Sequence, residues 1–280
     1  MLFSEKEGLL FYVSGERFSA DFSRGYGEPT FCKEVSLKKD EAGNHEIECG
    51  DHQALAWKAP GNIYAKRGTL SFFWRSRYPV GPTEFPLFRV GYADSTIWDA
   101  TWLRIDYNGH GFDAMVTDIN LSRTRVSWRL EPFPAPETWT HLALSWDEEY
   151  GIRFYVNGQL AAEEKRRAVY DEGLDQFGPH SRSVSNWRVI NDFNFIRGGD
   201  IREILIYDRM LSDENVLRLN NMCPPQMDDE NKGSFVWKTD EMQEKNDIWR
   251  LRQGFKEKLP VLQEVASIRK VEIDDAYDIK

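Results

Sequence analysis

The sequence contains few cysteines and no long apolar run. There are three cysteines among 280 residues, and none forms a Cys-x-x-Cys pair, which argues against a structural zinc site. The spacing of Cys32 and Cys49 allows a bridge between neighbouring strands, and a fully reduced protein fits equally well. No apolar segment approaches the roughly 20 residues that a membrane-spanning helix needs, so we expect no membrane span.

An excess of positive charge is also missing. The 36 lysines and arginines are outnumbered by 46 aspartates and glutamates, which gives a formal net charge of −10 at pH 7. Nucleic acids and anionic membranes are bound through clustered Lys and Arg, so neither is expected as a partner. The first residues lack the basic start and the cleavage site of a signal peptide. We therefore expect a secreted or periplasmic protein if a signal was removed, and a cytoplasmic one otherwise.

Short alternating segments, separated by Gly, Pro, Asp and Asn, fill the chain from residue 8 to about residue 210. A period of two in β-branched and aromatic residues is the signature of strands with one buried face. The clearest unit is residues 138–164, where alternating runs surround Asn157-Gly158, a dipeptide that favours a tight type I′ hairpin turn. Many short strands with turns between them predict an all-β fold, an antiparallel sandwich or barrel.

The pattern changes after the last predicted strand. Ser212 can cap a short helix, and the two prolines and acidic run of residues 223–233 are typical of a linker. Apolar residues then recur at helical spacing, namely Ile248, Leu251, Phe255 and Leu259. We predict a sandwich domain over residues 1–222 and a linker with an α-helical extension over residues 223–280. Helices of this size cannot form a core alone, so they must pack on the sandwich, a partner or a further domain.

Three segments together resemble the laminin G-like jelly roll, in the concanavalin A-like lectin and glucanase superfamily. The stretch GTLSFFWRS at residues 68–76 resembles the family's early strand with its inward tryptophan. Residues 137–164 resemble its long hairpin, in which a tryptophan and a histidine precede a YVNG turn. Residues 198–221 resemble its closing strand and short helix. The resemblance implies an antiparallel jelly-roll β-sandwich over residues 8–221.

The resemblance does not fix a function, because this fold is used by lectins, glycosidases, adhesion modules and spacers. Related domains often bind a structural calcium through an aspartate that precedes the glutamate matching Glu203. Arg202 stands there, so only Asp200, two residues earlier, is left as a candidate calcium ligand. Glycosidases of this fold carry carboxylates spaced as Glu-x-Asp-x-Glu on one strand, and no such motif occurs between residues 8 and 221.

The ten tryptophans are the strongest indication of a ligand, because aromatic rings stack on the apolar faces of sugars. One segment combines aromatic and hydrogen-bonding residues, and its candidate ligand-binding residues are Trp98, Asp99, Trp102, Arg104, Tyr107 and His110. In a regular strand Trp102, Arg104 and Asp106 share one face. Such a set suits a polyol, and arginine suits an acidic sugar. A cross-strand packing ladder is the alternative interpretation.

Residues 171–199 form the longest segment of the predicted sandwich without periodicity. Loops of this length in a compact domain are usually functional or disordered, and this one is too aromatic for disorder. We expect this loop either to line a binding cleft or to cover a neighbouring domain. Its candidate residues are Phe177, His180, Arg182 and Trp187.

These observations favour a non-catalytic carbohydrate-binding or accessory module of a larger bacterial polysaccharide-processing protein. Its partner is then a polysaccharide or oligosaccharide, and no cofactor is expected. The alternative is an architectural domain that docks an adjacent catalytic domain or another partner. A glycoside hydrolase or lyase with an unfamiliar site is the third hypothesis, and the missing carboxylate motif counts against it.

Overall fold

The fold was analysed in a computed structural model of the 280-residue chain. The structure describes residues 8–33, 35–40, 43–49, 54–76, 85–92, 101–130, 135–179 and 199–226. All of these belong to the first of the two units into which the chain divides, residues 1–236. The predicted helical extension over residues 223–280 lies almost entirely outside the described residues, and the boundary at residue 222 stays a prediction.

The described residues form two antiparallel sheets, as the alternating pattern predicted. The nine-stranded sheet contains β1 (Leu9–Val13), β2 (Phe22–Ser23), β4 (Ser36–Lys39), β5 (His45–Cys49), β7 (Arg67–Ser76), β12 (Thr140–Asp147), β13 (Gly151–Val156), β14 (Gln159–Glu164) and β16 (Gly199–Tyr207). The seven-stranded sheet contains β3 (Phe31–Lys33), β6 (Ala54–Lys58), β8 (Phe85–Tyr92), β9 (Thr101–Tyr107), β10 (Gly111–Thr117), β11 (Arg123–Arg129) and β15 (Leu174–Gly178).

The order of strands shows the crossovers of a jelly roll. In the nine-stranded sheet the main path is β14-β13-β12-β7-β16-β1-β2, and β5 pairs with the first half of β16 while β1 pairs with its second half. In the seven-stranded sheet the order is β11-β10-β9-β8-β15-β6-β3. Neighbours in space are thus often distant in sequence, and the predicted jelly-roll β-sandwich is confirmed.

Aromatic side chains from both sheets fill the core between them. Trp102 of β9 meets Trp146 of β12 edge to face at 5.3 Å between ring centroids, and Phe88 of β8 stacks on Phe72 of β7 at 5.3 Å. All four rings are almost completely buried. Contacts of this kind add about 0.5–1.5 kcal/mol each to the free energy gained by burying the rings.

The predicted hairpin and short helix are both present. Asn157 and Gly158 have φ angles of 51° and 76°, as a type I′ turn requires. Helix α1 (Asp213–Asn220) begins at the predicted cap, where the Ser212 side chain accepts a hydrogen bond from the Asn215 amide. The helix packs on the outer face of the nine-stranded sheet through Val216 and Leu219, and Leu211, which precedes the cap, joins the same cluster.

Of the two alternatives for Cys32 and Cys49, the bridge is not present, because Cys32 is a free thiol and the two residues lie in strands of different sheets. No helix within the described ranges is both long and apolar enough to cross a membrane.

Candidate functional site

The outer face of the seven-stranded sheet carries a row of long side chains. Arg89 of β8 lies opposite Arg104 of β9, Arg104 opposite Met115 of β10, and Met115 opposite Arg125 of β11. Directly opposite residues point to the same face of a sheet. We call Arg89, Arg104, Met115 and Arg125 the arginine row. With strands about 4.8 Å apart, the row is about 14 Å long.

Two aspartates lie next to this row on the same face, each two residues along its strand from a member of the row. Asp106 of β9 is opposite Asp113 of β10, which is opposite Ser127 of β11. Arg104 Nε contacts Asp106 Oδ2 at 2.5 Å, and Arg125 Nη2 contacts Asp113 Oδ2. Each aspartate therefore fixes the orientation of an arginine on the sheet face, because a carboxylate engages the planar guanidinium through directed hydrogen bonds.

The environments of the two aspartates shift their pKa values in opposite directions. Burial raises the pKa of Asp106, and the nearby Arg89 and Arg104 offset this only in part. Burial also acts to raise the pKa of Asp113, but hydrogen bonds from Ser127, Asn108 and Arg125 outweigh it and lower that pKa. The Asn108 amide donates to Asp113 Oδ1 at 2.8 Å.

The edge strand β11 extends the basic character of this face. Its residues alternate between exposed and more buried positions, and its exposed positions include Arg123, Arg125 and Arg129. Within the described part of β8 to β11 the outer face thus has five arginines, counting Arg89 and Arg104, against Asp106 and Asp113. This is a local excess of positive charge on a chain whose formal net charge is −10.

Two predicted ligand-binding residues belong to this side of the molecule. Arg104 is part of the arginine row, and its side chain is 25% exposed. His110 is exposed in the turn between β9 and β10, where its backbone N–H donates to Asn108 Oδ1 at 3.0 Å. Both stay candidate ligand-binding residues.

Three other predicted residues lie in the core instead. Trp102, Tyr107 and Phe177 are 0% exposed, so none offers a ring face to a ligand in this structure. Tyr107 packs against the core residue Phe112, and Phe177 packs against Phe11. For Trp102 the packing-ladder interpretation fits this burial better than stacking on a sugar.

A β-bulge explains why Trp102 and Arg104 do not share a face. In the pairing of β9 with β8, Thr101 is opposite Gly91 and Leu103 is opposite Val90, which leaves Trp102 as an extra residue. A bulge breaks the alternation of side chains. Trp102 turns into the core, while Arg104 keeps its place on the outer face.

The remaining predicted ligand-binding residues lie outside the described residues. They are Trp98, Asp99, His180, Arg182 and Trp187. The prediction that they contact a ligand stays a prediction.

Sequence reasoning missed most of the charged residues on this face. Arg89, Asp113 and Arg125 were not among the candidates, although the stretch RTRVSWR at residues 123–129 places arginines at alternate positions. This alternation was the available signal. The arginine row itself could not be found from the sequence, because it depends on which strands are neighbours and on the register in which they pair.

A second charged group lies on the outer face of the nine-stranded sheet. The Trp139 ring is contacted by the guanidinium groups of Arg75 and Arg202, at 4.8 Å and 4.2 Å from its centroid. Arg75 also pairs with Glu46 at 2.6 Å and with Asp200 at 2.9 Å. These contacts join β5, β7, β16 and the start of β12.

The candidate calcium ligand Asp200 belongs to this group. Its carboxylate is bound by the Arg75 guanidinium, and a second arginine, Arg202, lies two residues along the strand. Two nearby guanidinium groups are unfavourable for a divalent cation. Within the described ranges, no group of three or more His, Cys, Asp or Glu side chains is arranged to hold a metal ion. The described residues around Asp200 therefore do not fit a calcium site.

Comparison with known families gives the assignment. A sequence model of the concanavalin A-like lectin/glucanases superfamily, of the laminin G type, matches residues 52–217. The chain belongs to this superfamily. The match begins just before β6 and ends within α1, so it includes all four strands of the arginine row. No curated protein sequence matches the chain significantly.

Solved structures with a similar fold include several binding domains. The receptor binding domain of botulinum neurotoxin C/D mosaic serotype aligns with a TM-score of 0.59 and 13% identity, over 77% of this chain and 51% of that one. The botulinum neurotoxin serotype D ligand binding domain in complex with N-acetylneuraminic acid gives 0.56 and 12%, over 77% and 51%. The binding domain of Paraclostridial Mosquitocidal Protein 1 gives 0.56 and 13%, over 77% and 52%.

This chain thus spans about half the length of these structures. At such low identity, the likeness shows a shared fold and nothing about a shared ligand.

Proposed function

We propose that the protein is a non-catalytic carbohydrate-binding module that holds its ligand on the outer face of the seven-stranded sheet. The observation that carries this proposal is the arginine row, in which Arg104 and Arg125 are held by Asp106 and Asp113 on adjacent strands. Side chains fixed on strands hold a ligand more accurately than side chains on loops. The face therefore offers directed hydrogen-bond donors in a defined arrangement.

Membership of the superfamily supports a sugar as the ligand. The superfamily includes lectins, and one structurally similar domain was solved in complex with N-acetylneuraminic acid. A sugar presents several hydroxyl groups, which accept hydrogen bonds from guanidinium groups. The same proposal holds that the module is part of a larger, bacterial polysaccharide-processing protein.

The arrangement of Asp106 and Asp113 favours binding over catalysis. A glycosidase needs one carboxylic acid to protonate the leaving group and a second carboxylate to act as nucleophile or base. Here the two aspartates have opposite pKa shifts, as such a pair would, but each contacts an arginine and is mostly buried. Arginine lowers the pKa of both carboxylates; burial still raises the pKa of Asp106, but that side chain is 11% exposed and bound by Arg104, which leaves it little access to a leaving group.

The proposal is tested by native gels that contain soluble neutral and charged polysaccharides. We expect at least one polysaccharide to retard the protein, and Ser127→Leu to weaken retardation several-fold because it places a branched side chain beside Arg125. Gln159→Leu is the matched control, on the exposed edge strand β14 of the other sheet. Absence of retardation by every polysaccharide, or equal retardation of the two variants, would contradict the proposal. A turnover assay that detected a product lost in Asp113→Asn would contradict the absence of catalysis.

A second candidate function is an architectural domain that docks an adjacent catalytic domain or another partner through exposed apolar side chains, and a second copy of the chain is the simplest such partner. Ile119, Leu121 and Val169 are 54%, 52% and 58% exposed. They lie on adjacent segments, because the Ile119 amide donates to the Val169 carbonyl at 2.9 Å. Leu121 also has a φ of 62°, which costs energy in a non-glycine residue. Clustered exposed apolar side chains are typical of an interaction surface.

Sedimentation velocity over a range of protein concentrations tests this second candidate. We expect the wild-type sedimentation coefficient to rise with concentration, and the double variant Ile119→Ser/Leu121→Ser to remove this rise. Leu160→Ser, at a 40% exposed position of β14, is the control. A wild-type protein that stays monomeric throughout would eliminate a second copy as the partner.

A further inference from the structure

The arginine row offers a different kind of contact from the sugar site that was predicted from the sequence. The prediction combined stacking on tryptophan with hydrogen bonds. In the structure Trp102 is in the core, and the row consists of three arginines and one methionine. A guanidinium group binds carboxylates and sulfates through paired, charge-assisted hydrogen bonds, which are about twice as strong as neutral ones.

Exposure increases along the row towards the edge of the sheet. The side chains of Arg89, Arg104 and Arg125 are 13%, 25% and 58% exposed. Met115 lies between Arg104 and Arg125 and is 5% exposed. The position between the two arginines is therefore apolar and nearly buried. The end of the row formed by Arg104 and Arg125 is therefore the part that a ligand can reach.

The acidic residues beside the row are placed to support the arginines. Asp106 and Asp113 have side chains that are 11% and 12% exposed, less than those of the arginines they hold. They fix guanidinium groups while presenting little negative surface themselves. Arg123 and Arg129, exposed on the same edge strand, add positive charge on either side of Arg125. A field of this sign attracts anions in spite of the acidic chain.

We propose that the ligand of this face is an anionic glycan, whose carboxylate or sulfate groups bind at Arg104 and Arg125. The inference rests on the proposed function, because it names the class of sugar that the same face binds. It goes further in excluding neutral glycans as the preferred ligand. It also assigns Arg125, at the edge of the sheet, as the residue that selects for charge.

The test compares polysaccharides that differ only in charge. Retardation in native gels is measured with dextran sulfate against dextran, and with polygalacturonate against its fully methyl-esterified form. We expect the charged member of at least one pair to retard the protein at least ten-fold more strongly than its neutral counterpart. The pair that shows the difference distinguishes sulfate from carboxylate recognition. Polyglutamate is included as a polyanion without sugar rings.

Variants of Arg125 provide the structural part of the test. Arg125→Gln should weaken retardation by the charged glycan about ten-fold, because one charge-assisted bond is worth roughly that factor. Arg125→Lys should keep part of the effect, since lysine retains the charge but not the forked geometry. Arg167→Gln removes the same charge from an 82% exposed position elsewhere and should bind like the wild type. Thermal melting confirms that each variant is folded.

The outcomes separate the inference from the proposed function. Equal or stronger binding of the neutral glycan would overturn the inference and leave the carbohydrate-binding proposal intact. Equal effects of Arg125→Gln and Arg167→Gln would also overturn it, as would competition by polyglutamate at the same charge concentration. Absence of binding to any polysaccharide would overturn both.

Discussion

Glu203 shows how a single residue can depart from the pattern of its strand. It has a φ of 53° in β16, at a point where the pairing with β7 shifts register. Its carboxylate accepts a hydrogen bond from the Tyr12 hydroxyl at 2.8 Å. Burial raises the pKa of Glu203 from 4.5 to about 7. The glutamate thus ties β16 to β1 at a bulge, and its charge titrates close to neutral pH.

This titration predicts a pH dependence of stability. A carboxyl whose pKa is higher in the folded than in the unfolded state stabilises the protein below the unfolded pKa, and this contribution is lost as the pH rises through the folded pKa. The free energy of unfolding should therefore fall between pH 4.5 and about 7 because of Glu203. Glu203→Gln keeps an oxygen for Tyr12 and should remove about 1 to 3 kcal/mol of this fall.

Urea unfolding at pH 5 and pH 8 measures the effect. The quantity compared is the change in unfolding free energy between the two pH values, in the wild type and in Glu203→Gln. Glu164→Gln, at an exposed position of β14, is the control. If all three proteins show the same change, Glu203 does not titrate in this range.

At the scale of elements, the turn between β13 and β14 packs directly against helix α1. Gly158 has a φ of +76°, and a Cβ atom there would lie 2.9 Å from both Leu217 Cδ1 and Asn220 Cβ. The glycine is therefore required by its backbone angle and also by the close approach of the helix. The Asn157 side chain contributes as well, because its oxygen accepts a hydrogen bond from the His141 amide at 3.0 Å.

A pair of glycine substitutions separates the two requirements. Gly43 has a similar φ of +82°, but a Cβ atom there would meet no atom within 4 Å. Gly43→Ala should cost about 1 to 2 kcal/mol of unfolding free energy, from the left-handed backbone alone. Gly158→Ala should cost about 2 to 4 kcal/mol, because α1 must also move. Chemical denaturation of both variants tests this, and equal losses would show that the helix contact has no energetic role.

At the scale of the whole molecule, the two outer faces of the sandwich are used differently. On the nine-stranded sheet α1 covers one part, and the ion pairs around Arg75 occupy another. On the seven-stranded sheet the four strands from β8 to the edge strand β11 present the arginine row, and Arg125 keeps more than half of its side chain exposed. The core between the sheets takes the large aromatic rings. Among the described residues, the outer face of β8 to β11 is therefore basic although the chain as a whole is acidic.

The strands, the hairpin turn and the capped helix could be predicted from sequence because their causes are local. Alternation in residues 140–146, the Asn157-Gly158 pair and the Ser212 cap each act within a few residues. The superfamily was also recognisable, because its motifs are stretches of neighbouring residues. The burial of Trp102 in the core could not be predicted, because the bulge that turns its side chain inward arises from the pairing of β9 with β8.

The sequence by itself determined the class of fold and the acidic character of the protein, because both follow from composition and short-range pattern. Only the tertiary structure decided which residues form the candidate site. Arg89, Arg104 and Arg125 come from three strands spread over 37 residues, and a one-residue shift of register would turn any of them to the other face. Side chains become neighbours across a sheet through backbone pairing, which no single stretch of the chain encodes.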